Sequence, residues 1–222
     1  MVKKVKLSVF IMALAFNIYG DNFPYLWSSY TTYFKQDIDD RGNNIQIAAN
    51  YLDGYILLPK TIFSFNEDVT SKIPEQNLGV ACVLINDKRV LGYGGGLCQV
   101  SSTLYAASLY AGLSIYERKP HSKIVSYIPA GFDATVSKDD GVDLKIYNPY
   151  RCKLLIRATV RENGLTISIY GTKPKLRDVR VFTTKPEKIG NFFHTTTVRE
   201  VFSSGRMVFS EVVSRDIYMV SE

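Results

Sequence analysis

Cys98 lies where a glycine-rich segment changes into a helical pattern, and this is a position that can activate a thiol. Gly92, Gly94, Gly95 and Gly96 precede it. Glycine tolerates positive φ, so consecutive backbone N–H groups can turn inward and stabilise an anion. The positive end of a helix also lowers the pKa of a thiol. We therefore predict Cys98 as a nucleophile, with the last three glycines in its oxyanion hole. The alternative is a small buried residue whose sulfur only packs.

A thiolate nucleophile usually needs a histidine to take and return its proton, and the sequence contains two histidines. His121 follows the predicted cysteine helix and stands at the entrance of a strand-like run, whereas His194 lies among aromatic residues near the C-terminus. His121 is the predicted base, and His194 a structural or surface histidine; a structural role for His121 stays open. Asp133 is the nearest downstream carboxylate that could orient the imidazole, with Ser122 and Tyr127 as polar alternatives. Asp133 could equally form an Asx turn.

The same residues argue against metal and phosphate chemistry. No group of His, Cys and Asp has the spacing of a zinc site, so we expect no metal and no other cofactor. The glycine run lacks the Lys-Ser or Lys-Thr of a P-loop and the surroundings of a dinucleotide fingerprint. Cys82 and Cys152 lie in strand-like runs, which favours small buried residues; a disulfide between them stays open.

The elements around Cys98 indicate an α+β fold. Apolar spacing predicts a helix from Asn43, capped by Asn43 or Asn44, and a second helix from Cys98 to Gly112. A hairpin is predicted around residues 80–91, and Asn163-Gly164 marks another. We predict a cysteine-bearing helix packed on a mainly antiparallel sheet, followed by a β-rich C-terminal tail. Further strands are predicted at residues 114–117, 124–128, 134–136, 143–147, 153–160, 165–170, 179–182, 195–202 and 207–213.

Composition limits where the protein works and what it binds. Of the 222 residues 46% are hydrophobic, which suffices for one packed core. The net charge is +6, but Lys3, Lys4 and Lys6 supply half of it, so no nucleic-acid partner is expected. These lysines precede an apolar run that is shorter than a membrane span of about 20 residues. Residues 1–20 are therefore predicted to be a signal peptide or short anchor, and residues 21–42 an extended arm. The protein would be exported to the periplasm or the extracytoplasmic face of the envelope, touching the membrane only through that segment if uncleaved.

The run Gly94-Gly95-Gly96-Leu97-Cys98-Gln99 resembles the core motif of the VanW family. The resemblance covers residues 43–171 and also rests on residues 63–66, 117–122 and 127–136. The chain departs from the family pattern at Pro59-Lys60-Thr61 and at residues 71–78, which bears on loop geometry rather than on the nucleophile. Residues 172–222 lie outside the resemblance and form the predicted β-rich extension.

The resemblance implies a role in the bacterial cell envelope, since the family is named after vancomycin-resistance gene clusters and some members are understood to be L,D-transpeptidases. Cys98 would then attack a peptidoglycan stem peptide, with His121 relaying the proton. The alternatives are a cysteine peptidase or L,D-carboxypeptidase that passes the acyl group to water, and a non-catalytic envelope protein that binds stem peptides. Motif position and chemistry suggest further substrate-binding residues, each of which could instead be ordinary packing: Gln99, Ser101, Tyr105, Arg118, Ser122 and Tyr127.

Overall fold

The computed structural model describes residues 22–35, 39–85 and 88–220, so the predicted signal segment lies outside the described residues. Its helices are α1 (Arg41–Leu52), α2 (Phe65–Asp68) and α3 (Leu97–Ala111), with 3-10 turns at Thr70–Lys72 and Glu75–Asn77. The strands pair antiparallel throughout, which confirms the predicted α+β class with antiparallel sheets. The strands are β1 (Tyr25–Tyr33), β2 (Tyr55–Leu57), β3 (Ile62–Ser64), β4 (Val80–Ile85), β5 (Lys88–Tyr93), β6 (Ser114–Glu117), β7 (Lys145–Tyr147), β8 (Leu154–Arg161), β9 (Gly164–Gly171), β10 (Asp178–Thr183), β11 (Glu187–Ile189), β12 (Phe192–Ser203) and β13 (Arg206–Met219). None of the helices in the described ranges is long and apolar enough to cross a membrane.

The main sheet has the strand order β1-β9-β8-β2, and two smaller sheets, β3-β7-β6 and β4-β5, lie beside it. Strands β8 and β9 form a hairpin whose alternating residues face the core, as period-2 patterning requires. β1 pairs with β9 along its whole length and places Trp27 in the core. The segment predicted as an extended arm therefore contributes an edge strand to this sheet.

Helix α3 is buried on almost every side and packs against β1 and β9. It is apolar around most of its circumference, which is typical of a helix enclosed by the core. Gly96 (φ +116°) and Gly112 (φ +77°) flank α3, and both have backbone angles in the left-handed region, where residues other than glycine are strained. Two hydroxyl groups of β1 fix the position of α3 along this strand. Ser28 donates to the Ala107 carbonyl at 2.7 Å, and the Thr32 hydroxyl is hydrogen-bonded to the Thr103 hydroxyl at 2.8 Å.

The predicted start of α1 is wrong. The helix begins two residues earlier, at Arg41, and neither Asn43 nor Asn44 caps it. Asn44 is instead fully buried, and its amide nitrogen donates to the carbonyls of Gly79 and Gly95 at 3.0 Å each. Its side-chain oxygen accepts the Gly79 N–H at 2.8 Å. The asparagine that resembled a cap thus ties α1 to the glycine loop before Cys98.

The strands predicted at residues 124–128 and 134–136 are also wrong, and so is the placement of His121 at a strand entrance. This stretch is irregular, with isolated bridges only. Gly131 has φ +90°, which breaks an extended course, and the Asp133 carboxylate accepts the backbone N–H of His121. Hydrogen bonds to side chains therefore replace the strand-to-strand backbone hydrogen bonds that the apolar residues predicted.

Residues beyond the main sheet form a second antiparallel sheet with the order β10-β12-β11, and β13 pairs with β12. The end of β13 returns to the irregular stretch, where the Met219 N–H donates to the Ser122 carbonyl at 2.6 Å and Lys123 forms a parallel bridge with Met219. The C-terminal extension is therefore built against the segment that carries His121.

Candidate active site

Cys98 is the second residue of α3, and its side chain is half-buried at the wall of a cleft. Its Sγ donates to the Val136 carbonyl at 3.4 Å and accepts the Val136 N–H at 3.5 Å. The N–H groups of Leu97, Gln99 and Val100 bond to the glycine loop, whereas within the described chain no partner accepts the N–H of Cys98. The sulfur thus sits beside an unused backbone donor.

His121 is buried next to this cysteine and is fixed by Asp133. Its Nδ1 lies 2.7 Å from Asp133 Oδ2, and its backbone N–H donates to the same oxygen at 2.7 Å. Two bonds to one carboxylate oxygen hold both the main chain and the ring, which leaves the second ring nitrogen for interaction with Cys98. The edge of the ring meets Tyr127, with 6.4 Å between the centroids. The structure therefore brings Cys98, His121 and Asp133 together.

Asp133 is itself held by groups on three sides and is almost fully buried. Arg118 Nη2 donates to Oδ1 at 3.1 Å and Arg118 Nε donates to the Asp133 carbonyl at 2.7 Å. The Tyr218 hydroxyl donates to Oδ1 at 2.6 Å. Since Oδ2 faces His121 and Oδ1 faces Arg118 and Tyr218, the carboxylate has one fixed orientation.

The C-terminal extension supplies two residues that the sequence analysis missed. Tyr218 is fully buried in β13, and its hydroxyl also accepts the Gly131 N–H at 2.7 Å. Asp216 accepts from Arg118 Nη1 at 2.5 Å, so Arg118 lies between two carboxylates. Strand periodicity alone indicates that Asp216 and Tyr218 share a face of β13, but not what that face contacts.

The three groups perturb one another in a consistent direction. Burial alone would raise the pKa of Asp133, but hydrogen bonds from His121 and the charge of Arg118 lower it. Burial alone would lower the pKa of His121, but Asp133 and then Cys98 raise it to about 9. Burial alone would raise the pKa of the Cys98 thiol, but His121, the Val136 N–H and the charge of Arg41 lower it. These opposite shifts favour a thiolate–imidazolium pair at neutral pH.

Of the six further residues predicted to bind substrate, Gln99 and Tyr127 line the cleft, whereas Ser101, Tyr105, Arg118 and Ser122 do not. Ser101 is fully buried and donates to the Ala134 carbonyl at 2.7 Å, which ties α3 to the irregular stretch. Tyr105 is buried under Arg118, whose guanidinium carbon lies 5.0 Å from the centre of its ring. Ser122 contacts β13 through its carbonyl. Tyr127 lines the cleft and lies 3.4 Å from the Ser102 hydroxyl.

Gln99 is fully buried, and its amide is occupied by protein partners. Its nitrogen donates to the Thr32 hydroxyl at 3.0 Å and to the Tyr33 carbonyl at 3.1 Å. Its oxygen accepts from Arg41 Nη2 at 2.9 Å. Gln99 therefore positions Arg41, a cleft-lining residue that the sequence analysis did not single out.

The glycines before Cys98 have packing reasons for lacking side chains. A Cβ on Gly95 would lie 2.7 Å from the Cys82 carbonyl oxygen, and one on Gly96 would lie 2.9 Å from Ile45. Gly94, with φ +76°, lines the cleft with them. Their oxyanion role stays a prediction.

The cleft over Cys98 is wide, with a volume of about 2290 Å³. Pockets for small molecules typically measure about 300–1,000 Å³. An open cleft of this size suits a segment of an extended polymer better than an enclosed small ligand. Charged residues of both signs line it: Lys35, Asp39, Arg41, Glu75, Lys119, Lys123, Lys138, Asp139 and Asp140.

All three cysteines are free thiols in the structure, so Cys82 and Cys152 are not joined. Cys152 is buried, and this burial raises the pKa of its thiol. Among the described residues, no group of His, Cys, Asp and Glu side chains could hold a metal ion.

Comparison with known proteins identifies the family. A family model described as VanW like protein matches residues 40–170, more than half of the chain. The chain belongs to the VanW family. It is 37% identical over 143 residues to the uncharacterized protein YoaR of Bacillus subtilis (strain 168), which covers 64% of this chain and 47% of YoaR. It is 28% identical over 137 residues to the vancomycin B-type resistance protein VanW of Enterococcus faecalis (strain ATCC 700802 / V583), which covers 59% of this chain and 49% of that protein.

The chain spans about half the length of these VanW-family relatives. No solved structure matches it. Cys98, His121 and Asp133 fall within the part matched by the VanW family model, whereas Asp216 and Tyr218 fall beyond it.

Proposed function

We propose that the protein is an exported cell-envelope cysteine acyltransferase, of the L,D-transpeptidase type, that acts on peptidoglycan stem peptides. The observation that carries this proposal is the arrangement of Cys98, His121 and Asp133, in which a buried carboxylate orients the buried imidazole beside a half-buried thiol. This is the arrangement that covalent acyl transfer by a cysteine requires. The link to the cell envelope is supported by VanW-family membership and by a relative named for vancomycin resistance.

In the proposed first step the Cys98 thiolate attacks the carbonyl carbon that precedes the terminal D-Ala of a tetrapeptide stem. A C–S bond forms and the C–N bond breaks. The His121 imidazolium gives its proton to the departing nitrogen, so D-Ala leaves as an amine and a thioester remains on the enzyme. The tetrahedral oxyanion would be stabilised by donors beside the sulfur, and the Cys98 N–H, which has no acceptor among the described residues, is a candidate donor.

In the second step an amine of a neighbouring stem attacks the thioester, and His121 takes the proton of that amine. A new amide bond forms and the C–S bond breaks, which restores the thiolate–imidazolium pair. Water in place of the amine would give hydrolysis by the same atoms. The wide cleft leaves room for a second stem peptide beside the first.

Product analysis tests the proposal. Purified protein is incubated with disaccharide-tetrapeptide, and the products are separated and identified by mass. Free D-Ala together with a 3-3 linked dimer supports transpeptidation, whereas free D-Ala and disaccharide-tripeptide alone would show a carboxypeptidase. Cys98→Ala should abolish both products. Unchanged product formation by Cys98→Ala would overturn the proposal, and so would wild-type protein that forms no product while its Cys98 alkylates as slowly as the buried Cys152.

A further inference from the structure

Arg41 stands at the cleft with its guanidinium held from behind. It is the first residue of α1, and Nη2 donates to the buried Gln99 oxygen at 2.9 Å. Gln99 is locked in turn by Thr32 and Tyr33. The guanidinium carbon lies 5.5 Å from the centre of the Tyr127 ring, so two contacts fix its plane. A flexible side chain has thus been given one orientation at the wall of the site.

The Arg41 guanidinium forms no ion pair with a carboxylate of the described residues, although the Asp39 carboxylate accepts the backbone N–H of Arg41 at 3.2 Å. Arg118 is paired with two carboxylates, and Arg199 with Glu211, but no carboxylate lies within ion-pair distance of the Arg41 side chain. Its charge nevertheless reaches the nucleophile, since it helps to lower the pKa of Cys98. An oriented and unpaired guanidinium beside a nucleophile is suited to bind an anionic group of the substrate.

We propose that Arg41 binds the free carboxylate of the residue that leaves with the amine, so that the donor must be a peptide ending one residue after the attacked carbonyl. This inference rests on the proposed function and names its donor class. In such a peptide the terminal carboxylate follows the attacked carbonyl by one residue, about 3.8 Å along the chain. Arg41 donates to Gln99, the residue that follows Cys98, and lies over the Tyr127 ring, which also meets His121. Its guanidinium is therefore placed to hold that carboxylate. An internal peptide bond offers no charge at this position.

The alternative is that Arg41 only stabilises the Cys98 thiolate. The two roles predict different rates of acylation for donors with and without a free carboxylate. The rate of acyl-enzyme formation is measured by mass spectrometry, expressed as kcat/KM for acylation. Two donors are compared: disaccharide-tetrapeptide with a free C-terminal carboxylate, and the same compound with a C-terminal carboxamide. The proteins are wild type, Arg41→Gln, Arg41→Lys and Lys138→Gln. Lys138 is an exposed cation on the same cleft and serves as the matched control.

Wild type should react about 10- to 100-fold faster with the acid than with the amide, as expected for charged hydrogen bonds. Arg41→Gln should lose about 10- to 100-fold more activity with the acid than with the amide, so that the preference for the acid disappears. Arg41→Lys should restore part of the preference, and Lys138→Gln should keep all of it.

Equal rates for acid and amide in wild type would overturn the inference and leave the proposed function standing. An equal loss with both donors in Arg41→Gln would overturn it in favour of thiolate stabilisation. No acylation by either donor in wild type would refute the proposed function, and this inference with it.

Discussion

Replacing Tyr218 with phenylalanine should destabilise the protein far more than the loss of an ordinary tyrosine hydroxyl. The hydroxyl donates to Asp133 Oδ1 at 2.6 Å and accepts the Gly131 N–H at 2.7 Å, and the side chain is fully buried. Solvent does not reach either bond, because Tyr218, Asp133 and Gly131 are all buried. The substitution therefore removes a donor from a buried carboxylate and leaves a buried N–H without an acceptor.

The magnitude follows from these two bonds. A hydrogen bond to a charged group contributes about 1.5–3 kcal/mol, and an orphaned buried donor costs about 1–3 kcal/mol. Tyr218→Phe should therefore lower the free energy of unfolding by about 2.5–6 kcal/mol. That is a large part of the roughly 5–15 kcal/mol typical of a folded protein.

Urea denaturation of wild type, Tyr218→Phe and Tyr110→Phe is the assay. Tyr110 is the matched control, because its hydroxyl also contacts the C-terminal extension, donating to the Val181 carbonyl at 3.1 Å, but touches no charged group. Its removal should cost about 1 kcal/mol. If Tyr218→Phe costs no more than Tyr110→Phe, the role assigned to Tyr218 in holding Asp133 is refuted.

Three further predictions concern the same site. Asp133→Asn removes the carboxylate that raises the pKa of His121 to about 9, so the pH profile of Cys98 alkylation by iodoacetamide should shift to higher pH; an unchanged profile would contradict the assigned orientation. The raised pKa of His121 contributes stability that is fully present below its ordinary value of about 6.5 and is lost as the pH rises through about 9. The lowered pKa of Cys98 has the opposite effect on stability over this pH range, so the test uses proteins that carry Cys98→Ala. Cys98→Ala should lose stability between pH 7 and pH 9, and Cys98→Ala with His121→Asn should lose less in urea titrations. Gly96→Ala forces a side chain into φ +116° and places a methyl group 2.9 Å from Ile45, so its unfolding free energy should fall by about 1–3 kcal/mol; no change in the melting temperature would count against this packing account.

The residues that sequence reasoning located are those whose signal is local. Cys98 follows glycines and begins a helical pattern, and His121 and Asp133 lie within one short downstream stretch. The structure brings these three side chains together, while their catalytic roles stay predictions. The α+β class was predictable for the same reason, since it follows from periodicity within each element.

Residues whose role depends on distant contacts could not be located. Tyr218 lies 85 residues from its partner Asp133, and Arg41 lies 58 residues from Gln99. Nothing in the spacing of either pair marks the contact. For Asn44 the local signal was misleading. Asparagine is a common helix cap, but the Asn44 side chain instead forms tertiary hydrogen bonds with Gly79 and Gly95.

Intact mass of the protein after incubation with disaccharide-tetrapeptide, for wild type and Cys98→Ala, tests most directly the claim that Cys98 is an acyl-accepting nucleophile. The account predicts an adduct equal to the donor minus D-Ala on wild type, located on the peptide containing Cys98 and absent from the variant. An adduct that persists in Cys98→Ala would contradict it, as would wild-type protein that gains no mass while peptide products accumulate.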